Sequence, residues 1–182
     1  ATVWNIGAEG QYIAGALAAA AVALALYPTE GRWIFVLMVL AGLTGGWLWS
    51  MIPAFLKTRF NASEILVSLL LVYVAERLVA AMAMGWMRNP DGGGFPGSRS
   101  ISGYPSAANP ELIAGSGIHW GVVAALLAVI GGYIVLQRHL FGVQVRLAGE
   151  APRAAGFAGF PANRLVVACL GLSGALAGRA GM

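Results

Sequence analysis

From Trp33 to Phe55 the chain runs without a single charged residue. A helix that crosses a membrane needs roughly 20 mostly apolar residues. No soluble element of ordinary size uses such a run, because it is too long for a buried strand and apolar on every side. Further runs share its character: Ile6 to Tyr27, rich in alanine and closed by Tyr27-Pro28; about Glu64 to Trp86; Trp120 to Leu136; and Leu165 onward. The sequence therefore predicts an all-α, polytopic membrane bundle of about five spans, the last truncated, with residues 1–182 forming part of one transmembrane domain. Composition agrees, since 10% of residues are charged where globular domains carry roughly 25%.

The few charges assign sides. The connectors at 56–63 and 138–164 hold Lys57, Arg59, Arg138, Arg146, Arg153 and Arg164 against the single acid Glu150. Those at 28–32 and 88–117 hold Arg32, Arg88 and Arg99, offset by Glu30, Asp91 and Glu111. Short connectors rich in Lys and Arg stay cytoplasmic, so 56–63 and 138–164 are expected inside and 88–117 outside. The outer stretch NPDGGGFPGSRSISGYPSAANP reads as loop, with a turn of helix near Pro110-Glu111-Leu112. Pro53 is expected to bend or end the second span, and Asn61 or Ser63 to cap the third. Trp33, Trp47 and Trp49 read as an interfacial belt near the ends of the second span. Small residues recur in the first, second and fifth spans, including Gly10, Gly46 and Gly174, and mark faces where helices approach closely.

Within the basic connector, Glu150-Ala-Pro152-Arg-Ala154-Ala155-Gly-Phe157 has the makings of a short helix. An acid precedes its first turn and proline stands near the first helical position, where a missing N–H costs little. Pro161 closes the stretch.

Polar residues inside apolar spans are costly in lipid and face a cavity or another helix. Asn5, Glu9 and Gln11 at the entrance of the first span are therefore candidates for a translocation path, although Glu9 also suits a helix start at the interface. Glu76 and Arg77 fall in the middle of the third span; neighbours on a helix point about 100° apart, so they do not form a simple pair. Arg77 lies one turn from Tyr73. Both are candidates for the path or for contact with helices outside this stretch.

Several chemistries are excluded. The net charge of +4 is dispersed over loops, without the basic, aromatic-interleaved face of a nucleic-acid binder. The lone Cys169 gives neither a disulfide framework nor a metal site. His119 and His139 fall on opposite sides of the membrane and cannot share a metal. The run GGGF is followed by no Gly-Lys-Ser/Thr, so no phosphate-binding loop exists and any ATP is handled by another chain. Gly171-Leu-Ser173-Gly174 has the GxSG form of a rhomboid-type intramembrane protease. No histidine follows it in the chain, however, and His119 sits at the outer end of its span; Ser173 reads as a helix-packing residue. No catalytic residue and no cofactor are expected.

Four blocks of this sequence resemble the permease subunits of ABC importers for simple sugars and nucleosides, relatives of branched-chain amino acid permeases. They are Asn5-Ile-Gly7-Ala-Glu9-Gly10-Gln11; Ile52-Pro53 with Asn61, Glu64-Ile-Leu-Val-Ser68 and Tyr73; Asn89-Pro90-Asp91-Gly92 with Phe95-Pro96; and LAGEAPRAAGFAGF followed by SGALAGRAG. Arg179 departs from the pattern, which has an apolar residue there. The resemblance implies a transport subunit rather than an enzyme, in a bacterial plasma membrane, with ATP hydrolysis on a partner ATPase subunit. It implies a second permease subunit, identical or different, and an extracytoplasmic substrate-binding protein. The coupling loop would comprise Gly149, Glu150, Ala154, Ala155, Phe157 and Gly159. Both ends of the chain look cut, as expected for the middle portion of a longer permease. The alternative is a secondary transporter or channel subunit without that coupling, which shares midplane polar residues and broken helices.

Overall fold

The computed structural model describes residues 3–95, 97–101 and 103–182, and of Pro152 only the backbone. It contains helices α1 (Ala8–Ala25), α2 (Trp33–Phe60) and α3 (Glu64–Met84), a hairpin of β1 (Glu111–Ile113) with β2 (Ile118–His119), and helices α4 (Gly121–Arg138), α5 (Leu140–Glu150), α6 (Pro152–Phe157) and α7 (Ala162–Ala180). Four of these helices, α1 to α4, are long and apolar enough to cross a membrane. The expected fifth span, α7, falls short of them in composition, with Arg164 and Arg179 near its ends. It nevertheless lies inside the bundle, antiparallel to α2.

Glycine brings these backbones together. A Cβ on Gly178 would meet the Gly42 carbonyl and, at 2.7 Å, the Cα of Gly46; one on Gly174 would lie 2.7 Å from the Gly46 carbonyl oxygen. Gly15 of α1 faces the backbone of Gly178 just as closely, and Gly45 of α2 sits against Ala14 and Ala18 of α1. Without a hydrophobic drive between helices in lipid, such close van der Waals contact is what holds them. Helix α3 packs on α1 through Ser68 and Val72, which abut Gly7 and Gly10. Helix α4 buries none of its residues.

Several local expectations change. Helix α2 continues through Pro53 to Phe60 and absorbs Lys57 and Arg59 into its last turn, where cations suit the helix dipole. Pro53 is fully buried, and packed surroundings tolerate proline in a spanning helix. Trp47 and Trp49 consequently lie mid-helix, not in a belt: Trp47 covers Gly171 and Trp49 covers Gly10. Asn61 ends α2 in the left-handed conformation, at φ 53°, and does not cap α3. Ser63 holds the α3 N-cap position without a side-chain bond, and the turn between the helices is clamped by Lys57 and Glu64, 2.7 Å apart.

The long loop between α3 and α4 packs against the α1–α2 end. Tyr104 is buried with Ala107, Ala19, Ala23, Ile34 and Met38, and its hydroxyl meets the carbonyls of Leu26 and Thr29. Arg99 pairs with Asp91 at 3.0 Å and lies over the Tyr27 ring. In place of a helical turn at Pro110-Glu111-Leu112, Glu111 begins β1. Its carboxylate accepts the Gly115 N–H, and Gly115 and Gly117 take positive φ in the hairpin turn.

Candidate functional site

The connector 138–164 is mostly helical. His139 caps α5, its Nδ1 accepting the Phe141 N–H at 3.2 Å. The chain reverses so tightly there that a Cβ on Gly142 would strike the Leu136 backbone. Arg146 ties the reversal by donating to the Leu136 carbonyl and the Gln137 side chain. Glu150 is the last residue of α5 and makes no cap for α6, so its expected place before the first turn of the short helix falls to Ala151. Pro152 does begin α6. Gly159, at φ +75°, ends it: its N–H reaches the Gly156 carbonyl and the Phe160 N–H reaches that of Ala155. This paired closure needs a residue that accepts the left-handed conformation, hence glycine.

The sides of α6 differ sharply. Ala155 is buried, so it seats the helix on its own chain and is not part of an outer surface. Ala154 and Gly156 are exposed, and Phe157 is 94% exposed, the most of any large apolar residue described. Gly149 and Glu150 are exposed on the preceding helix end.

The polar candidates divide into two groups. Asn5 and Gln11 exchange reciprocal amide hydrogen bonds of 2.8 and 2.9 Å, and Asn5 Nδ2 also donates to Ser173 Oγ at 2.7 Å. Gln11 is buried and Asn5 half-buried. Ser173, read from the sequence as packing alone, is thus a polar partner linking the entrance of α1 to α7. No spacing rule could pair residues so far apart in the chain; a lone serine on an apolar helix was the only hint. Glu9 is exposed in the first turn of α1 and takes no part in this cluster. Glu76 and Arg77 stay apart from it too: α3 turns Ser68, Val72 and Ala75 inward and leaves both charges exposed. No ion pair engages them among the described residues.

Ser173 bonds to Asn5 while His119 belongs to the β1–β2 hairpin, an arrangement without the serine–histidine contact a protease needs. Among the described residues no group of three His, Cys, Asp or Glu could hold a metal ion. Arg179 lines a cavity of about 460 Å³ between α4 and α7 together with Asn109 of the α3–α4 loop. It also stands in the last turn of α7, where a cation complements the dipole.

The described residues thus form a polytopic helical bundle with a polar cluster at the entrance of α1 and a helical connector at 138–164. The chain belongs to the family described as the branched-chain amino acid transport system permease component, whose pattern matches residues 1–182. It is similar to a glucose ABC transporter permease of Haloferax volcanii, with 33% identity covering 100% of this chain and 50% of that protein. A guanosine ABC transporter permease of Bacillus subtilis is 28% identical over 98% of this chain and 51% of its own length. A nucleoside ABC transporter permease of Lactococcus lactis is 25% identical over 99% and 51%. The chain thus spans about half the length of these relatives. No solved structure matches it.

Proposed function

We propose that this chain is part of the permease subunit of an ATP-driven importer for nucleosides or simple sugars, coupled to a separate ATPase subunit through 138–164. The observation that carries the coupling is the exposure of Phe157 on a thin helix, flanked by Ala154 and Gly156 and held by α5 and α7. An unburied aromatic among small residues is the form of an anchor for a partner's groove, and such anchors tend to dominate interface energy. The connector lies at the same end as Lys57, Arg59 and Arg138, which the positive-inside tendency puts in the cytoplasm. The membrane would be the bacterial plasma membrane. A second permease subunit would complete the pathway, and an extracytoplasmic substrate-binding protein would dock on the outer loops around 88–117.

The path would run past Asn5, Gln11 and Ser173. Amides and a hydroxyl present donors and acceptors without net charge, which suits a neutral, hydroxyl-rich solute better than a zwitterionic amino acid. The names of the three relatives point the same way. Glu9 would stand at the entrance, and Glu9→Gln is expected to change uptake without affecting assembly.

Phe157→Ala in the full-length permease tests the coupling. Loss of an anchor of this kind costs about 2 kcal/mol or more, so ATPase-subunit binding should weaken by at least roughly thirtyfold and uptake should fall with it. Insertion into the membrane should be normal. Ala154→Trp should act similarly by bulk, whereas Ala155→Trp would disturb the loop's own packing and is the poorer probe. Full ATP-driven uptake by Phe157→Ala would favour a secondary transporter or channel.

A further inference from the structure

Glu64 is a buried carboxylate at the start of α3, and the transport reading leaves it unused. Lys57, in the last turn of α2, pairs with it at 2.7 Å. The backbone N–H of Trp4 is a second, weaker contact of the same carboxylate. From there the segment that enters α1 lies along α3 in step: Trp4 meets Glu64, Gly7 abuts Ser68, and Gly10 abuts Val72. Each advance of three residues on the entering segment matches about one turn of α3. The fit leaves no slack, because a Cβ on Gly7 would lie 2.8 Å from that of Ser68. Ser68 Oγ and Trp49 Nε1 are buried along this seam without a hydrogen-bond partner among the described residues. The polar hold on the seam therefore falls to Glu64.

Asn5 follows Trp4 directly and carries the bonds to Gln11 and Ser173. We infer that Glu64 is a positioning residue for this polar cluster: paired with Lys57 and holding the Trp4 N–H, it fixes Asn5 against α7 and ties the α2–α3 turn to the entrance of α1. The inference rests on the reading that the transport path runs past Asn5, Gln11 and Ser173. A carboxylate suits the role because its two oxygens accept in several directions, so one side chain serves an ammonium and a main-chain N–H together. Charge-assisted hydrogen bonds are also about twice as strong as neutral ones. Lys57 supplies the compensating charge that a buried carboxylate requires. A shift of the α2–α3 turn then moves Trp4 and, through it, Asn5.

The test uses the full-length protein in membranes, with Cys169→Ala and cysteines in place of Asn5 and Ser173. A protease site inserted at the exposed Gly93-Gly94 stretch allows reaction with a short thiol cross-linker to be read as two fragments held together. Glu64→Ala should lower the cross-link yield at least severalfold. Glu64→Gln, whose amide oxygen still accepts the Trp4 N–H, should keep most of it. Exchanging the pair, Lys57→Glu with Glu64→Lys, restores opposite charges across the turn but places a side chain with no acceptor beside Trp4. That double variant should melt close to the unsubstituted protein and still cross-link poorly. A clamp on the turn alone would recover both, and that result would overturn the inference, as would a full yield from Glu64→Ala. If Glu64→Ala fails to accumulate, the Glu64→Gln and exchanged variants decide. Cross-linking needs neither solute nor ATPase, so uptake of labelled guanosine and glucose by the unsubstituted permease tests the transport reading separately.

Discussion

Helices α4 and α7 make an instructive pair. Helix α4 is apolar enough to cross a membrane and buries nothing, whereas α7, less apolar and carrying two arginines, buries Leu165, Leu170, Gly171, Gly174 and Gly178. In a soluble protein the ranking would be reversed, since apolar residues there are driven inward. In lipid the tails are as apolar as leucine, so hydropathy reports what faces lipid, and small residues report what faces other helices. The two arginines fit this picture, because both sit near helix ends and leave the close-packed middle of α7 to small and aliphatic side chains.

The largest expected effect therefore comes from the backbone-to-backbone contact at Gly178. A side chain there must displace the main chain of Gly42 and Gly46, and nothing in a main chain can rotate away. Gly178→Leu should cost at or beyond the roughly 3 kcal/mol at the top of the usual overpacking range. It would be read as loss of folded, monodisperse permease on heating in detergent. A normal melting temperature would mean that α7 does not lie on α2 as described.

Next comes Gly171, whose wall is made of the Trp47 ring and the end of Met51. These are side-chain atoms, and the methionine is flexible enough to yield. Gly171→Ala should cost about 1–2 kcal/mol, within the ordinary overpacking range. The expected order, Gly171→Ala milder than Gly178→Leu, separates a side-chain wall from a backbone wall. Equal losses would remove that distinction.

The membrane bundle, the long loop at 88–117 and the small-residue faces were legible in the sequence because each follows from local composition. Elements whose form depends on distant partners were not. Trp47 and Trp49 looked like interfacial residues until α2 proved to extend past Pro53, which moved them to mid-helix where they cover Gly171 and Gly10. The connector 138–164 was legible for its short helix at Pro152, through the proline at its start, but Gly159 rather than Pro161 ends that helix and α5 was hidden by its mixed polarity. Tyr104 gave no sign that it would anchor the loop between α3 and α4, since its hydroxyl partners lie on the α1–α2 turn. The Asn5–Gln11 pair was half legible, as polar residues in an apolar entrance; its third member, Ser173, was not.

A smaller effect is expected at that third member. Ser173→Ala removes the acceptor of one Asn5 hydrogen bond and leaves the Asn5–Gln11 pair intact. A single hydrogen bond contributes roughly 0.5–1.5 kcal/mol net, and Asn5 is only half-buried, so the loss should fall near the lower end. If the cluster also touches the solute, uptake should change by more than this stability loss explains. Measuring melting and uptake on the same preparation separates the two roles.

The smallest effect is expected on α4, at Gly131, where an added Cβ would meet nothing within 4 Å. Gly131→Leu removes a residue that disfavours helices by about 1 kcal/mol relative to alanine, and it adds apolar surface that lipid solvates as readily as a neighbouring helix would. The full-length permease should therefore melt at the same temperature or slightly higher, against the collapse expected at Gly178. The contrast is a sharp one because both changes are glycine to leucine within an apolar helix, and they differ only in what stands opposite. A loss at Gly131 comparable with that at Gly178 would mean that another helix of the assembly packs on this face. Helix α4 would then belong to the interior of the complete permease, and its exposure here would mark a contact surface instead of a lipid-facing one.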